Sequence, residues 1–371
     1  MEPRSLSTLG GVDTISFARG IPAPECLPVE ELADCARAAI ERDGRTVLSY
    51  GAAGGYLPLR EWLGERHSVD SKRVVLTNGS LQGFAFLAER FAGERRFLVE
   101  APTYDRPLKI LRDRGADVVA IPQDDDGLDV DALAEELGRG PALLYTIPTF
   151  QNPSGRTLTL ERRRRIAELA TAHDLLVYED DPYGLVRFEG EAQPSLLELA
   201  GGERVLYGSS FSKTIAPGVR VGYFVLPEEL AAELEAMAVS TYITPVLLAE
   251  ATVYEFLSRG AFEPNLERVR GLLRERRDAM LGALESELGG RGSWSRPEGG
   301  YFLWLDLGVD TTELLGRAEA AGVTFVKGTD FFLPGEGGER SARLAFSFVS
   351  PAEISEGVAR LAALVPAAAR V

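Results

Sequence analysis

The chain has 371 residues, 45% hydrophobic and 26% charged, an ordinary globular composition with length for about two or three domains. Aspartate and glutamate outnumber lysine and arginine by 56 to 40, so the summed field repels nucleic-acid backbones and anionic lipid surfaces. No apolar run approaches the roughly 18 residues of a membrane helix, and Met1-Glu2-Pro3-Arg4 opens no signal peptide, so we expect a cytoplasmic protein without nucleic-acid or membrane partners.

In chain order, residues 1–45 read as an arm that forms part of a smaller domain. Cys26 and Cys35 are the only cysteines, too isolated for a disulfide framework or a thiolate metal site. His67 and His173 are the only histidines, which leaves a zinc site or a Ser-His-Asp triad poorly supplied. Both histidines stand in polar stretches and are expected at the surface; no metal is expected.

Residues 46–261 read as a large domain. Strands are expected near 73–77, 96–100, 117–121, 142–147, 175–179, 205–208 and 219–225, with helices near 81–92, 104–114, 129–138 and 160–173 between them. This alternation predicts an α/β fold with a mainly parallel, seven-stranded sheet covered by helices, and ligands bound beyond the carboxyl ends of the strands. The four arginines at 162–165 precede Ile166, Ala167, Leu169 and Ala170 at helical spacing, and read as a solvated helix face. From residue 262 to 371 the pattern changes to a long charged helix, strands near 301–307, 323–326 and 343–349, and a closing helix, a smaller α+β domain.

The chemistry concentrates in loops after strands. In Ser209-Ser210-Phe211-Ser212-Lys213, with Arg220 beyond, the two hydroxyls and the guanidinium can approach one phosphate while Lys213 supplies an amine. A lysine beside anion-binding hydroxyls suits Schiff-base chemistry on a phosphorylated aldehyde, and the chain has only four lysines, Lys72, Lys109, Lys213 and Lys327. Asp180-Asp181-Pro182-Tyr183 ends another strand; an acid there can hold a proton on a pyridine nitrogen, although Asp and Pro also make plain turns. Thr77-Asn78-Gly79-Ser80-Leu81 passes from strand to helix and offers free amides to a phosphate, or is a common helix cap. Gln151-Asn152-Pro153-Ser154-Gly155 can orient a ring hydroxyl through Asn152, or is a tight turn.

Together these segments resemble the fold-type I, aspartate-aminotransferase superfamily of pyridoxal-phosphate enzymes over nearly the whole chain. Ser-Phe-Ser-Lys followed by an arginine, Asn-Pro-Ser-Gly and Asp-x-x-Tyr carry the resemblance. Phe17-Ala18-Arg19-Gly20-Ile21-Pro22 and the run from Tyr50-Gly51 to Arg60 look like the subgroup of 2-aminoadipate and kynurenine aminotransferases. The resemblance implies pyridoxal 5′-phosphate as cofactor, with Lys213 bonding its aldehyde and then acting as general base, and Asp180 facing the pyridine nitrogen. Asn152 and Tyr183 would bind the ring oxygen, Tyr104 would stack on the ring, and Ser80, Ser210, Ser212 and Arg220 would hold the phosphate. Tyr50 would reach that phosphate from the neighbouring subunit of a homodimer. Arg343 would grip the substrate α-carboxylate, with Gly20 and Asn152 nearby, and Arg19 would face an acidic side chain or stand on the rim. Leu81 replaces a residue that is often polar in this subgroup, so its contact would come from the backbone alone.

The implied activity is transfer of an amino group between an α-amino acid and a 2-oxo acid. A lyase, replacement or cyclisation enzyme passes through the same stabilised carbanion, so fold and cofactor alone do not separate them. A ligand-sensing domain fused to a DNA-binding module is the third reading, and the acidic chain opening directly on the arm argues against it. Gly51-Ala52-Ala53-Gly54-Gly55 lacks the spacing of a dinucleotide-binding loop.

Overall fold

The computed structural model describes residues 14–366, so Met1-Glu2-Pro3-Arg4 lies outside the described residues. Apolar runs bounded by glycine and proline form the large sheet, in the spatial order Val74–Thr77, Gly222–Val225, Val205–Ser210, Leu175–Asp180, Ala142–Thr146, Arg96–Ala101, Val118–Asp124 and Gly127–Leu128. The strands from Val205–Ser210 to Val118–Asp124 run parallel, while Gly222–Val225 is antiparallel to both neighbours. All seven expected strands are present, and the two-residue piece Gly127–Leu128 adds an antiparallel edge. Strand alternation feeds two cores, one per face: Leu143 and Tyr145 enter one cluster, Ala142 and Leu144 the other.

The expected helices form at Ser80–Phe91, Asp105–Asp113, Val130–Leu137 and Leu160–Ala172. Asp129 caps the third by accepting from the Asp131 and Ala132 amides. Each crossover returns the chain to the start of the next parallel strand, so the loops after Ala101, Thr146, Asp180 and Ser210 gather at one edge of the sheet.

The second sheet is antiparallel, ordered Ser293–Trp294, Phe302–Asp306, Ser341–Ala345 and Val326–Lys327. Helices Phe262–Leu288 and Pro351–Ala362 pack on each other, and their Leu284 and Leu361 join the core that holds Phe302 and Leu344. The expected strand near 323–326 divides. Val323–Thr324 pairs in parallel with Ile15–Ser16 of the arm, and Val326–Lys327 joins the four-stranded sheet. The Ala345 amide also donates to the Phe17 carbonyl. The helix Val29–Val47, which spans the expected boundary at residue 45, packs on Leu247–Ser258.

Two surface expectations are corrected. Arg163 is 1% exposed rather than solvated. Its guanidinium donates to the carbonyls of Leu158, Pro194 and Pro148 and to the Thr149 hydroxyl, because helical spacing puts it on the buried face with Ile166, Ala167 and Ala170. His67 is half-buried, its Nε2 3.1 Å from the Tyr223 hydroxyl, and burial pulls its imidazole down to about 4. His173 is exposed, as expected.

Candidate active site

The gathered loops enclose a cavity of about 270 Å³. Ser80, Leu81, Ser210, Ser212 and Arg220 line one end, and Asp180, Tyr183, Asn152, Tyr104 and Lys213 also line it. Ten residues singled out from five separate stretches of sequence therefore share one cavity.

One part of the wall is built for an anion. Ser80 opens a helix of 12 residues directly after Gly79, whose φ of 95° suits glycine. A Cβ at Gly79 would run into the Arg220 guanidinium, and one at Gly222 would strike the Ser80 amide, so both glycines let the loops close together. Arg220 Nη2 donates to the Asn78 carbonyl at 2.9 Å, and Arg220 itself takes left-handed backbone at φ 54°. The Ser210 hydroxyl lies 2.8 Å from that of Ser212. Leu81 is half-buried in the wall and offers no polar side chain. Hydroxyls, a guanidinium and the start of a helix converge here.

Lys213 reaches into the interior, where its Nζ donates to the Gly20 carbonyl at 2.6 Å. Burial pulls the amine down to about 8, with Arg343 and Arg220 adding to the fall and Asp180 opposing it. The Nζ stands 5.2 Å from the centre of the Tyr301 ring, whose hydroxyl donates to the Lys213 carbonyl at 2.9 Å.

The adjacent acids divide their work. Asp181 Oδ1 accepts from the Gly184 amide at 2.8 Å and so closes the turn, and its Oδ2 accepts from the Tyr207 hydroxyl at 3.0 Å on the neighbouring strand. Asp180 is 7% exposed, and its Oδ2 accepts from the Tyr145 hydroxyl at 2.8 Å. Its Oδ1 is buried with no partner among the described residues. Burial pushes this carboxyl up to about 7, the Tyr145 hydrogen bond and Lys213 hold it down, and Asp181 adds to the rise.

Arg343, buried in the middle of Ser341–Ala345, ties three parts of the chain together. Its Nη1 donates to Asn152 Oδ1 at 2.9 Å and its Nη2 to the Ala18 carbonyl at 3.0 Å, while the guanidinium lies 4.2 Å from the Phe302 ring centre. Two expected residues stand apart from this cluster. Arg19 is exposed over the Phe348 ring at 5.2 Å, and Tyr50 is 81% exposed.

The family described as aminotransferase class I and II matches residues 23–361. The chain belongs to that family. It is 40% identical to the 2-aminoadipate transaminase of Thermus thermophilus, covering 94% of this chain and 89% of that one. It is 35% identical to the aromatic-amino-acid aminotransferase 1 of Thermococcus litoralis, covering 94% and 87%. The crystal structure of LysN, the α-aminoadipate aminotransferase of Thermus thermophilus complexed with N-(5′-phosphopyridoxyl)-L-leucine, superposes with a TM-score of 0.90 at 36% identity, covering 95% and 92%. The chain is thus a fold-type I aminotransferase, and its cofactor is pyridoxal 5′-phosphate.

The cavity fits that group on its own evidence. The unpartnered Asp180 Oδ1 is an acceptor that a protonated ring nitrogen would satisfy, and the hydroxyls with Arg220 suit a phosphate. Sequence reasoning missed Tyr145, which reads as a core aromatic inside a strand. Its signal is register: Tyr145 pairs with Tyr178 across the ladder, and Asp180, two residues on, shares that face.

Proposed function

We propose that this aminotransferase exchanges amino groups between 2-oxo acids and α-amino acids of the aminoadipate and aromatic classes named among its relatives. The observation that carries the site assignment is the pairing of a depressed lysine amine with a buried, half-satisfied carboxylate in one anion-binding cavity.

When bound, pyridoxal phosphate supplies an aldehyde that takes up the amino group and a ring that withdraws electrons from the substrate α-carbon. Lys213 would hold that aldehyde, and its Nζ would serve as the general base for the substrate α-proton. A depressed amine suits both tasks, since a large neutral fraction is present near pH 8. Asp180 would hold the ring proton, and Tyr183 and Asn152 would bind the ring oxygen. Tyr104 would stack on the ring, and Ser80, Ser210, Ser212 and Arg220 would hold the phosphate. Arg343 receives the α-carboxylate; its Nε is buried without a partner among the described residues, and Asn152 already fixes one prong of the fork. Gly20 closes the substrate side through the arm.

Tyr50 completes the phosphate site of a second copy in a homodimer, within a division of residues 1–45, 46–261 and 262–371. Residence in the cytoplasm is part of the same reading, since Cys26 and Cys35 are both buried free thiols.

The test is a panel of amino acids added singly to the purified enzyme. Transamination converts the cofactor to its aminated form, seen as loss of the aldehyde-state absorbance and release of the matching 2-oxo acid. Reduction with borohydride should fix the cofactor on Lys213. Carbon dioxide or side-chain loss with the cofactor kept as aldehyde would replace transfer by a lyase reaction.

A further inference from the structure

Tyr145 is fully buried, and the described residues give its hydroxyl one partner, Asp180 Oδ2 at 2.8 Å. The ring packs against Phe84 at 5.1 Å and Tyr178 at 5.6 Å between centroids, which fixes where its hydroxyl oxygen sits. An ionised carboxylate only accepts, so the tyrosine hydrogen points at Asp180. With Oδ2 tied in this way, Oδ1 is the oxygen left over, and it is buried and unpartnered beside the cavity.

We propose that Tyr145 is a positioning residue for amino-group transfer: it ties down one oxygen of Asp180 and thereby aims the other at the ring nitrogen of the cofactor. This rests on the assignment of Asp180 to that nitrogen. The hydroxyl has a second effect. A donor on Oδ2 favours the ionised carboxylate in a place where burial favours the neutral acid. Without it, Asp180 both loses its aim and accepts a proton more readily, and the ring nitrogen gives up the charge that makes it an electron sink.

Tyr145→Phe keeps the ring and removes the hydroxyl alone. The measurement is nitrogen NMR of holoenzyme reconstituted with cofactor labelled at the ring nitrogen, followed through pH, together with the rate of the amino-acid half-reaction. Tyr145→Phe should move deprotonation of the ring nitrogen to lower pH. The half-reaction should slow by about tenfold or more, with little change in KM for the amino acid. A fluorinated tyrosine at position 145, a stronger donor of nearly the same shape, should move the titration the other way, and serves where Tyr145→Phe folds poorly. Tyr207→Phe removes the matching buried hydroxyl from Asp181 and should leave the ring titration as in the parent enzyme. If Asp180→Asn leaves the ring nitrogen unchanged, the assignment of Asp180 falls. If Asp180→Asn shifts it while both changes at Tyr145 leave it in place, the positioning role falls and the assignment stands.

Discussion

Asp180 and Asp181 are neighbours of the same type whose surroundings give them different work. The Gly184 amide and the Tyr207 hydroxyl occupy both oxygens of Asp181, whereas Asp180 keeps one without a partner among the described residues. Asp180→Asn should therefore bind cofactor and lose about 10²-fold or more in turnover, because a neutral amide does not stabilise charge on the ring. Asp181→Asn retains an acceptor for the Gly184 amide and should stay within a few-fold of the parent in steady-state assays. The reverse pattern would move the catalytic acid one residue along. The sequence left a plain turn open for this segment, and that reading describes Asp181. Which acid faces the ring depends on strand register, which spacing within one segment does not reveal.

The helix Leu247–Ser258 carries a buried acid that the site does not use. Glu250 Oε2 accepts from the Tyr56 amide at 2.8 Å, where Tyr56 caps the helix Leu57–His67, and Oε1 has no partner among the described residues. Burial pushes its carboxyl from 4.5 up to about 8, opposed by that hydrogen bond and by Arg60. The folded state thus holds a proton that the unfolded chain releases, so stability from this group is full below about pH 4.5 and declines as pH rises to about 8. Glu250→Gln keeps an acceptor for Tyr56 and has no proton to lose. Its Tm relative to the parent should rise across that window and level off above it; a flat difference would show that Glu250 ionises freely. Sequence patterning located this region's neighbours well where periodicity is strong, as for the parallel strands and their crossover helices. It failed where one residue departs from its neighbours: Arg163 lies in a run of four arginines, and only its place on the face of Ile166 and Ala170 distinguishes it. Tyr145 failed for the same reason, since an aromatic in a strand reads as core until the adjacent strand's acid is placed beside it.

At the scale of the molecule, the exposed apolar residues Leu48, Tyr50, Leu57, Ile243 and Val246 belong to segments tied together beside the anion-binding end of the cavity. Leu247 packs against Gly51, the Val246 amide donates to Asn78 Oδ1 at 3.2 Å, and the Asn78 carbonyl accepts from Arg220. Apolar surface next to a polar site is where a second copy of the chain would bury area and complete the site. If Tyr50 is lent across a two-fold interface, each active site needs Lys213 from one copy and Tyr50 from the other. Mixing inactive Lys213→Ala subunits with Tyr50→Ala subunits then produces hybrids with one intact site: Lys213 from the second kind, Tyr50 from the first. Activity should climb after mixing toward about half that of the parent for each hybrid dimer, in step with subunit exchange followed by light scattering or labelled subunits. Activity fixed at the average of the two parents while subunits exchange would place Tyr50 outside the neighbour's site, and a monomer at working concentration would remove the shared site altogether.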